Sequence, residues 1–420
     1  MQPAATFPRR PRLADQGQYH SWIASPLRST SHAAITSPPF LLAGLAVCIS
    51  ISFQILLPVV PVMAERQGPH GIAGAATAAL FVGAVTGELA TPWLLTRFRS
   101  RRLLIAAQLL TALPSLVFVL RDPPTWAMLA GAFGRGLAMG VAIVVSVTLL
   151  SELTPPGRRG ASIGYYGFAL SAPGVFIPSA GVFLLANGRS DLDGLIALAV
   201  GVAGAFIAIR IPERPAHASQ QPANMLATLR RPGMLAVFAG FVLVSCTFGG
   251  IFTYAPVALP LQGFGSAAAF LLAVGSTRAL SRWLAGYIGD RVPARALLLG
   301  ALPIALTSLL MLALTSAALW VLIAGVLYGI GFGALHTASY LAMNERGTSS
   351  DSGAISALWN SAVDMGGTLG GTMIGVVAAQ YGYAAAAWSM PLVAVLALPL
   401  FLLPAREVPR PVGDAEIFVR

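Results

Sequence analysis

The chain has 420 residues, of which 56% are hydrophobic and only 10% charged. A soluble protein of that length cannot hide so much apolar surface, because any globule in water needs polar cover; the solvent for most of this chain is lipid. The formal net charge is +11, all 26 basic residues being arginine, but the arginines sit in short loops between apolar runs and not on one soluble face, which argues against nucleic acid as a partner.

Residues 1–38 are rich in Pro, Ser and Arg (Arg9, Arg10, Arg12, Arg28). They have no apolar core and no small-residue cleavage site, so they read as a disordered cytoplasmic tail and not as a signal peptide. A hydrocarbon core of ~30 Å needs roughly 20 apolar residues per helix. Runs of that order lie near 40–63, 71–95, 103–120, 125–150, 161–187, 192–211, 234–257, 266–288, 296–316, 318–342, 353–379 and 383–404. The expected fold is therefore all-α, with 12 transmembrane helices. An N-terminal bundle of six (39–211) is joined by a polar cytoplasmic linker (212–232) to a C-terminal bundle of six (233–404), and a second tail follows (405–420). With the N-terminus inside, Arg97, Arg99, Arg158, Arg159, Arg230, Arg231 and Arg406 all fall on the cytoplasmic side, and only Arg66, Arg121 and Arg189 fall outside. The positive-inside rule thus places both termini in the cytoplasm of a multi-pass protein of the inner (plasma) membrane. Arginine without lysine, together with abundant Ala and Gly, points to a GC-rich, bacterial genome. Cys48 and Cys246 lie inside apolar runs, so neither a disulfide framework nor a metal site is expected.

The second half repeats the first. "GYIGDRVPARALL" (286–298) aligns with "PWLLTRFRSRRLL" (92–104), "VLYGIGFG" (326–333) with "FGRGLAMG" (133–140), and "GAISALWN" (353–360) with "GASIGYYG" (160–167). One nearly constant offset relates three helix regions, which makes the chain a duplicated six-helix unit. Two such bundles rocking about a central site are the architecture of a secondary transporter.

On these motifs the chain resembles the major facilitator superfamily. The family's loop signature is carried by Gly286, Ile288, Gly289, Asp290, Arg291 and Arg295, with Pro293 where Gly is usual. In the first copy Pro92 replaces the first Gly, Thr96 the Asp and Arg99 the second Gly, while Arg97, Arg101 and Arg102 remain. "LLPVVPVMAER", "SELTPPGRRG", "GGIFTYAPVAL" and "GFGALHTASYLAMNERG" extend the resemblance over about residues 40–404. The resemblance implies that Asp290, Arg291, Arg295, Arg97 and Arg101 form a cytoplasmic latch in the outward-facing state. With its acid lost at Thr96, the first copy leaves more of that role to the second. It also implies that spans 1, 4, 7 and 10 line a cavity, and that Arg135 in span 4 stands where the family places a basic residue tied to proton coupling or substrate. The antiporter signature of span 5 survives only as Pro173 and Gly174.

Ionisable groups within lipid cost at least ~2.5–3.5 kcal/mol each, so each needs a partner or a wet cavity. They are Glu88, Arg135, Arg278, Arg282 and Asp364. The candidate proton-coupling residues are Asp364, Glu88 and Arg135. Arg278 and Arg282 are charge partners on the face that leads through Gly286 to Asp290. Candidates for the substrate cavity are Arg135, Gln54, Tyr254, His336, Tyr340 and Asn360, with Asn344 continuing the stripe of His336 and Tyr340. The plain structural alternative pairs Glu88 with Arg135 in one bundle and Asp364 with Arg278 or Arg282 in the other.

The expected function is proton-coupled efflux of a small organic molecule, a drug or secondary metabolite, by a monomer without cofactor. The alternative within the fold is an uptake permease. A membrane-embedded enzyme is disfavoured because no HExxH, no nucleophile with a paired base and no Walker motif occurs.

Overall fold

A backbone N–H or C=O left unpaired in lipid is costly, so apolar runs of spanning length close their hydrogen bonds within themselves as helices. The computed structural model describes residues 38–120, 122–154, 159–213, 225–261, 267–315, 317–348 and 351–403. Among the described residues there is no strand. Residues 1–37 and 404–420, and with them nearly all of the two predicted tails, lie outside the described residues, as do 214–224 of the linker and Arg158.

The first half contains α1 (Pro38–Leu56) and α2 (Val59–Gln67), which form one span interrupted at Pro58, then α3 (Ile72–Arg97) and α4 (Ser100–Ala112), which tightens into a 3-10 turn to Val119. α5 (Thr125–Leu153) follows. The fifth span is broken: α6 (Arg159–Ser171) ends at the 3-10 turn Ala172–Val175, and α7 (Ile177–Ala186) resumes. Pro173 and Pro178 each lack the N–H that a continuous helix would need there. α8 (Ser190–Ile209) completes this half.

Within the stretch read as a linker, Met225–Leu229 forms a short helix, α9, packed on the second half. That half continues as α10 (Met234–Leu261), α11 (Ala267–Gly289), α12 (Ala294–Leu314), α13 (Ala318–Asn344), α14 (Ser352–Val395) and α15 (Ala397–Leu402).

Among the described residues ten helices qualify as spans by length and apolarity alone. The other two of the expected twelve have physical explanations. The stretch 353–402 is 50 residues long, and Gly382 divides it with φ +79°, a conformation that residues with a side chain rarely adopt. α11 has 23 residues, enough to cross, but Arg278 and Arg282 lower its apolarity.

Packing follows the duplication. In the first half α3 lies on α5 and α1 on α8; in the second, α10 lies on α14 and α11 on α13. Two seams join the halves: α3 against α14, and α7 with its preceding turn against α11.

Candidate functional site

Both seams are built by small residues. At the end of the molecule away from the hairpins, a methyl placed on Gly74 would lie 2.5 Å from Gly375 Cα, and one on Gly371 2.8 Å from Thr77 Cβ. Further along α14, Gly367 abuts the Phe81 ring. Thr253 Oγ1 of α10 donates to Thr77 Oγ1 at 2.6 Å, which ties a third helix into the same end. On the other seam Ser179 Oγ donates to the Ala268 carbonyl at 2.7 Å, and Gly275 packs on the carbonyls of Gly174 and Val175. The outer loop is locked by Glu65, which accepts from Gly71 N (2.8 Å) and Ala73 N (3.0 Å) and pairs with His70 Nδ1 at 2.8 Å. The His70 ring meets Tyr383 of the second half edge-on at 5.3 Å.

At the hairpin end the charged groups bind within their own halves. Arg291 stacks on Tyr287 (4.2 Å) and Arg295 Nε donates to the Phe401 carbonyl at 3.2 Å. Arg97 covers Trp93 (5.0 Å), Arg101 donates to the Ile211 carbonyl (2.7 Å) and Arg99 pairs with Glu213 (2.9 Å). Asp290 is exposed. Glu345 accepts from Ala294 N, the start of α12, at 3.1 Å. Beside it Asp351 pairs with Arg231 at 2.7 Å and accepts from Thr348 N at 2.8 Å; the Thr348 hydroxyl, also donating to it, is the main cause of a carboxyl held below the usual range. None of these contacts joins two of the residues expected to form the latch, and none crosses between halves.

Deep in the molecule the structure differs from the simple pairing of acids with bases inside each bundle. Glu88 and Asp364, 276 residues apart in sequence by their numbers, meet across the α3–α14 seam as close neighbours whose carboxyls interact electrostatically. Ser361 donates to Glu88 Oε2 at 3.3 Å. Asp364 lies 12 residues from the start of α14, or ~18 Å along the helix. Two carboxyls thus face each other across the seam with no basic side chain paired to either among the described residues.

Arg135 is buried at 1% exposure inside the first half. Its guanidinium donates to the Thr111 carbonyl at 3.1 Å, to Ser115 Oγ and to the Ser52 carbonyl, tying α1, α4 and α5 together. It borders a small pocket of about 10 Å³, barely room for one water, with Phe53, Thr77 and Leu80. Glycines make this possible: a methyl on Gly136 or Gly140 would collide with the α3 backbone. Tyr254 is likewise fully buried, its ring 6.3 Å from Tyr383.

Arg278, Arg282, Gln54, His336, Tyr340 and Asn360 are all half-buried. A methyl on Gly174 would lie 2.7 Å from Gln54 Oε1 and 3.0 Å from Arg278 Nη2, so the amide of the first half and the guanidinium of the second converge over the broken span. Gln54 Nε2 donates to Ser50 Oγ at 2.8 Å, which turns its oxygen the other way. The His336 ring sits edge-on to Trp359 at 4.3 Å, while the Trp359 indole N–H donates to the His336 carbonyl at 3.1 Å. Tyr340 hydroxyl meets Ser356 at 3.4 Å, and Asn344, exposed, donates to the Tyr340 carbonyl.

Sequence reasoning missed Asp193. It lies in the first turn of α8, where an acid usually faces water and favours the helix N-terminus. Here it is 0% exposed, with neither carboxyl oxygen hydrogen-bonded among the described residues. Glu65, in the last turn of α2, and His70, in the loop that follows, were also missed, because their surroundings include Tyr383 of the opposite half.

The model of the Major Facilitator Superfamily matches residues 42–370 and 279–417. A segment of 93 residues is 31% identical to the arabinose-proton symporter of Bacillus subtilis (strain 168), covering 22% of this chain and 20% of that protein's length. Among solved structures, a bacterial homolog of the human lysosomal transporter Spinster, inward-facing and occupied, superposes with TM-score 0.71 at 14% identity, over 90% of this chain and 98% of that one. Its inward-facing, unoccupied form gives 0.66 at 15%, over 89% and 97%. The human organic anion transporter MFSD10 (TETRAN) gives 0.60 at 16%, over 89% and 100%.

Proposed function

The chain belongs to the major facilitator superfamily, and from that membership we propose that it is a proton-coupled secondary transporter that exports a small organic molecule by antiport. The observation that carries the coupling is the Glu88–Asp364 pair across a seam between the halves. A proton shared by two helices that move relative to each other binds the two conformations unequally, and unequal binding is what a ligand needs to drive a conformational change. We read the contacts at the end opposite the hairpins, with the hairpins taken as cytoplasmic, as an inward-facing arrangement in which a substrate loads from the cytoplasm. The latch residues, binding within their own halves, fit that state.

Glu88 and Asp364 hold the proton. Arg135 fixes the geometry of α1, α4 and α5 around them, and Gln54, His336, Tyr340 and Asn360 face the substrate. The protein acts as a monomer in the plasma membrane with both termini cytoplasmic. Uptake by symport is the second reading, favoured by the segment shared with a sugar–proton symporter.

The test is flux of a compound panel in proteoliposomes under an imposed pH gradient, with substrate and proton movement recorded together. Antiport predicts opposite directions, and symport the same direction. Asp364→Asn and Glu88→Gln should each abolish pH-driven accumulation and leave substrate exchange intact. If both variants still concentrate substrate against its gradient, the pair is structural and the coupling proposal fails.

A further inference from the structure

We propose that the half-buried face of α11 that carries Arg278 and Arg282, beside the broken fifth span, binds an organic anion, a molecule with a carboxylate, sulfonate or phosphate on an apolar body; this deepens, and rests on, the transport reading above. Two guanidinium groups are held there without a counter-charge. The ion pairs among the described residues are His70–Glu65, Arg99–Glu213, Arg189–Asp191 and Arg231–Asp351, which lie at the ends of helices or in loops. The two acids deep on the opposite seam are engaged with each other.

Arg278 rests on the face of Phe248 at 5.2 Å, a contact far weaker than a carboxylate would give. Neither Arg278 nor Arg282 donates a side-chain hydrogen bond within the protein among the described residues. Arg135 is the instructive contrast: it too lacks an acid, but carbonyls and a hydroxyl occupy its donors and the first half seals it. Arg278 and Arg282 are half-buried and their donors remain available.

The backbone is arranged to keep them there. Gly329 and Gly333 of α13 leave no room for a side chain, since added methyls would meet Val274 O at 2.5 Å and Arg278 O at 2.6 Å. α11 therefore presses onto α13, and Ser281 Oγ donates to the Ile330 carbonyl at 2.6 Å. That packing brings both arginines within electrostatic reach of His336, whose Nδ1 is buried without a hydrogen-bond partner. Half-buried Trp359 sits edge-on to that imidazole, and half-buried Tyr340 sits edge-on to Trp359 in turn. A planar oxyanion matches the guanidinium fork in two parallel hydrogen bonds, and a flat apolar body matches the rings.

The test uses the purified full chain in nanodiscs and a matched series by calorimetry: 1-naphthoate, 1-naphthalenesulfonate and 1-naphthyl phosphate against 1-naphthalenemethanol and 1-naphthylmethylamine. At least one anion should bind, with the alcohol and the amine weaker by roughly 10- to 100-fold, the loss expected for hydrogen bonds to a charged group. Arg278→Gln and Arg282→Gln should each lose a similar factor for the anion, and Arg278→Lys should recover part of it. If Arg278→Gln does not elute as a folded protein, Arg278→Lys and Arg282→Gln carry the comparison. The proposal is overturned if no anion binds, if the alcohol or amine binds as well, or if the arginine variants leave anion affinity unchanged. Anion-selective, arginine-dependent binding without pH-driven flux refutes the proton-coupled reading alone. Flux of a neutral or cationic compound that ignores Arg278→Gln refutes the anion site alone.

Discussion

The narrowest crossing between the halves offers a direct way to test whether the molecule alternates. A methyl on Gly74 lies 2.5 Å from both the Cα and the N of Gly375, and closer still to the Gly371 carbonyl. These are backbone atoms in the middle of a helix, so no rotamer change relieves the overlap. Gly74→Ala must push α3 and α14 apart. Overpacking of this kind costs typically ~1–3 kcal/mol. In a protein with one conformation that cost would be lost stability. In one that rocks between two, the outer end can open, and the penalty falls on the closed state alone. A differential of ~1–3 kcal/mol displaces the equilibrium roughly 5- to 150-fold.

The assay is a distance measurement between spin labels on Gln67→Cys and Tyr381→Cys, both exposed near the outer end, in a background with Cys48 and Cys246 replaced by Ser. Gly300→Ala is the control, because nothing lies within 4 Å of its added methyl. The parent and control should show one short distance, and Gly74→Ala should add a longer population that dominates at the upper end of the range. Identical distributions in Gly74→Ala and Gly300→Ala would refute both the seam and the two-state reasoning.

Three further outcomes follow from named contacts. Arg135→Lys replaces a fork that reaches Ser52, Thr111 and Ser115 by a single ammonium, and should destabilise the detergent-solubilised protein by roughly 1.5–3 kcal/mol in a thermal melt, while Arg189→Lys should not. Asp351→Asn should lower stability at neutral pH. Because the Asp351 carboxyl is held below its usual range in the folded state, its contribution is present above the unfolded-state range and fades as pH falls through the folded value, so melts of parent and variant should converge in acid. A membrane-impermeant thiol reagent applied to whole cells should label Gln67→Cys and spare Phe98→Cys; the reverse would invert the orientation inferred from the arginines.

The spans were legible because length and apolarity are local properties. Even α11, whose arginines dilute its hydropathy, is visible as the apolar run 266–288, and the repeat supports it, since its hairpin aligns with that of α3. The partners of the buried charges were not legible. Glu88 and Asp364 sit on different halves, and only the crossing of α3 and α14, set by glycines and the Phe81 ring, brings them together. Asp193 escaped for the opposite reason. Its surroundings in "SDLDG" are those of an exposed helix start, and its burial comes from the neighbouring span, where Gly194 packs against the Ser115 carbonyl. Pro173 and Gly174 were noticed as a remnant of a family motif, but their consequence is steric: they open the fifth span so that Gln54 and Arg278 can approach.

The duplication bears on why the two seams carry different charges. Glu88 and Arg282 occupy equivalent positions, each four residues before its hairpin. The same fold operation that sets α3 against α14 sets α11 against the fifth span, so the chain contains two related seams. A strictly symmetric ancestor would have put the same side chain on both, and two like charges in lipid would have been doubly unpaired. Divergence has instead placed a carboxyl pair on one seam and two arginines on the other. In the function proposed above, the first takes a proton and the second an oxyanion. Since both seams belong to the same rocking motion, whatever occupies one alters the energy of the conformation that the other must also adopt, and that shared cost is sufficient to couple two ligands that never touch.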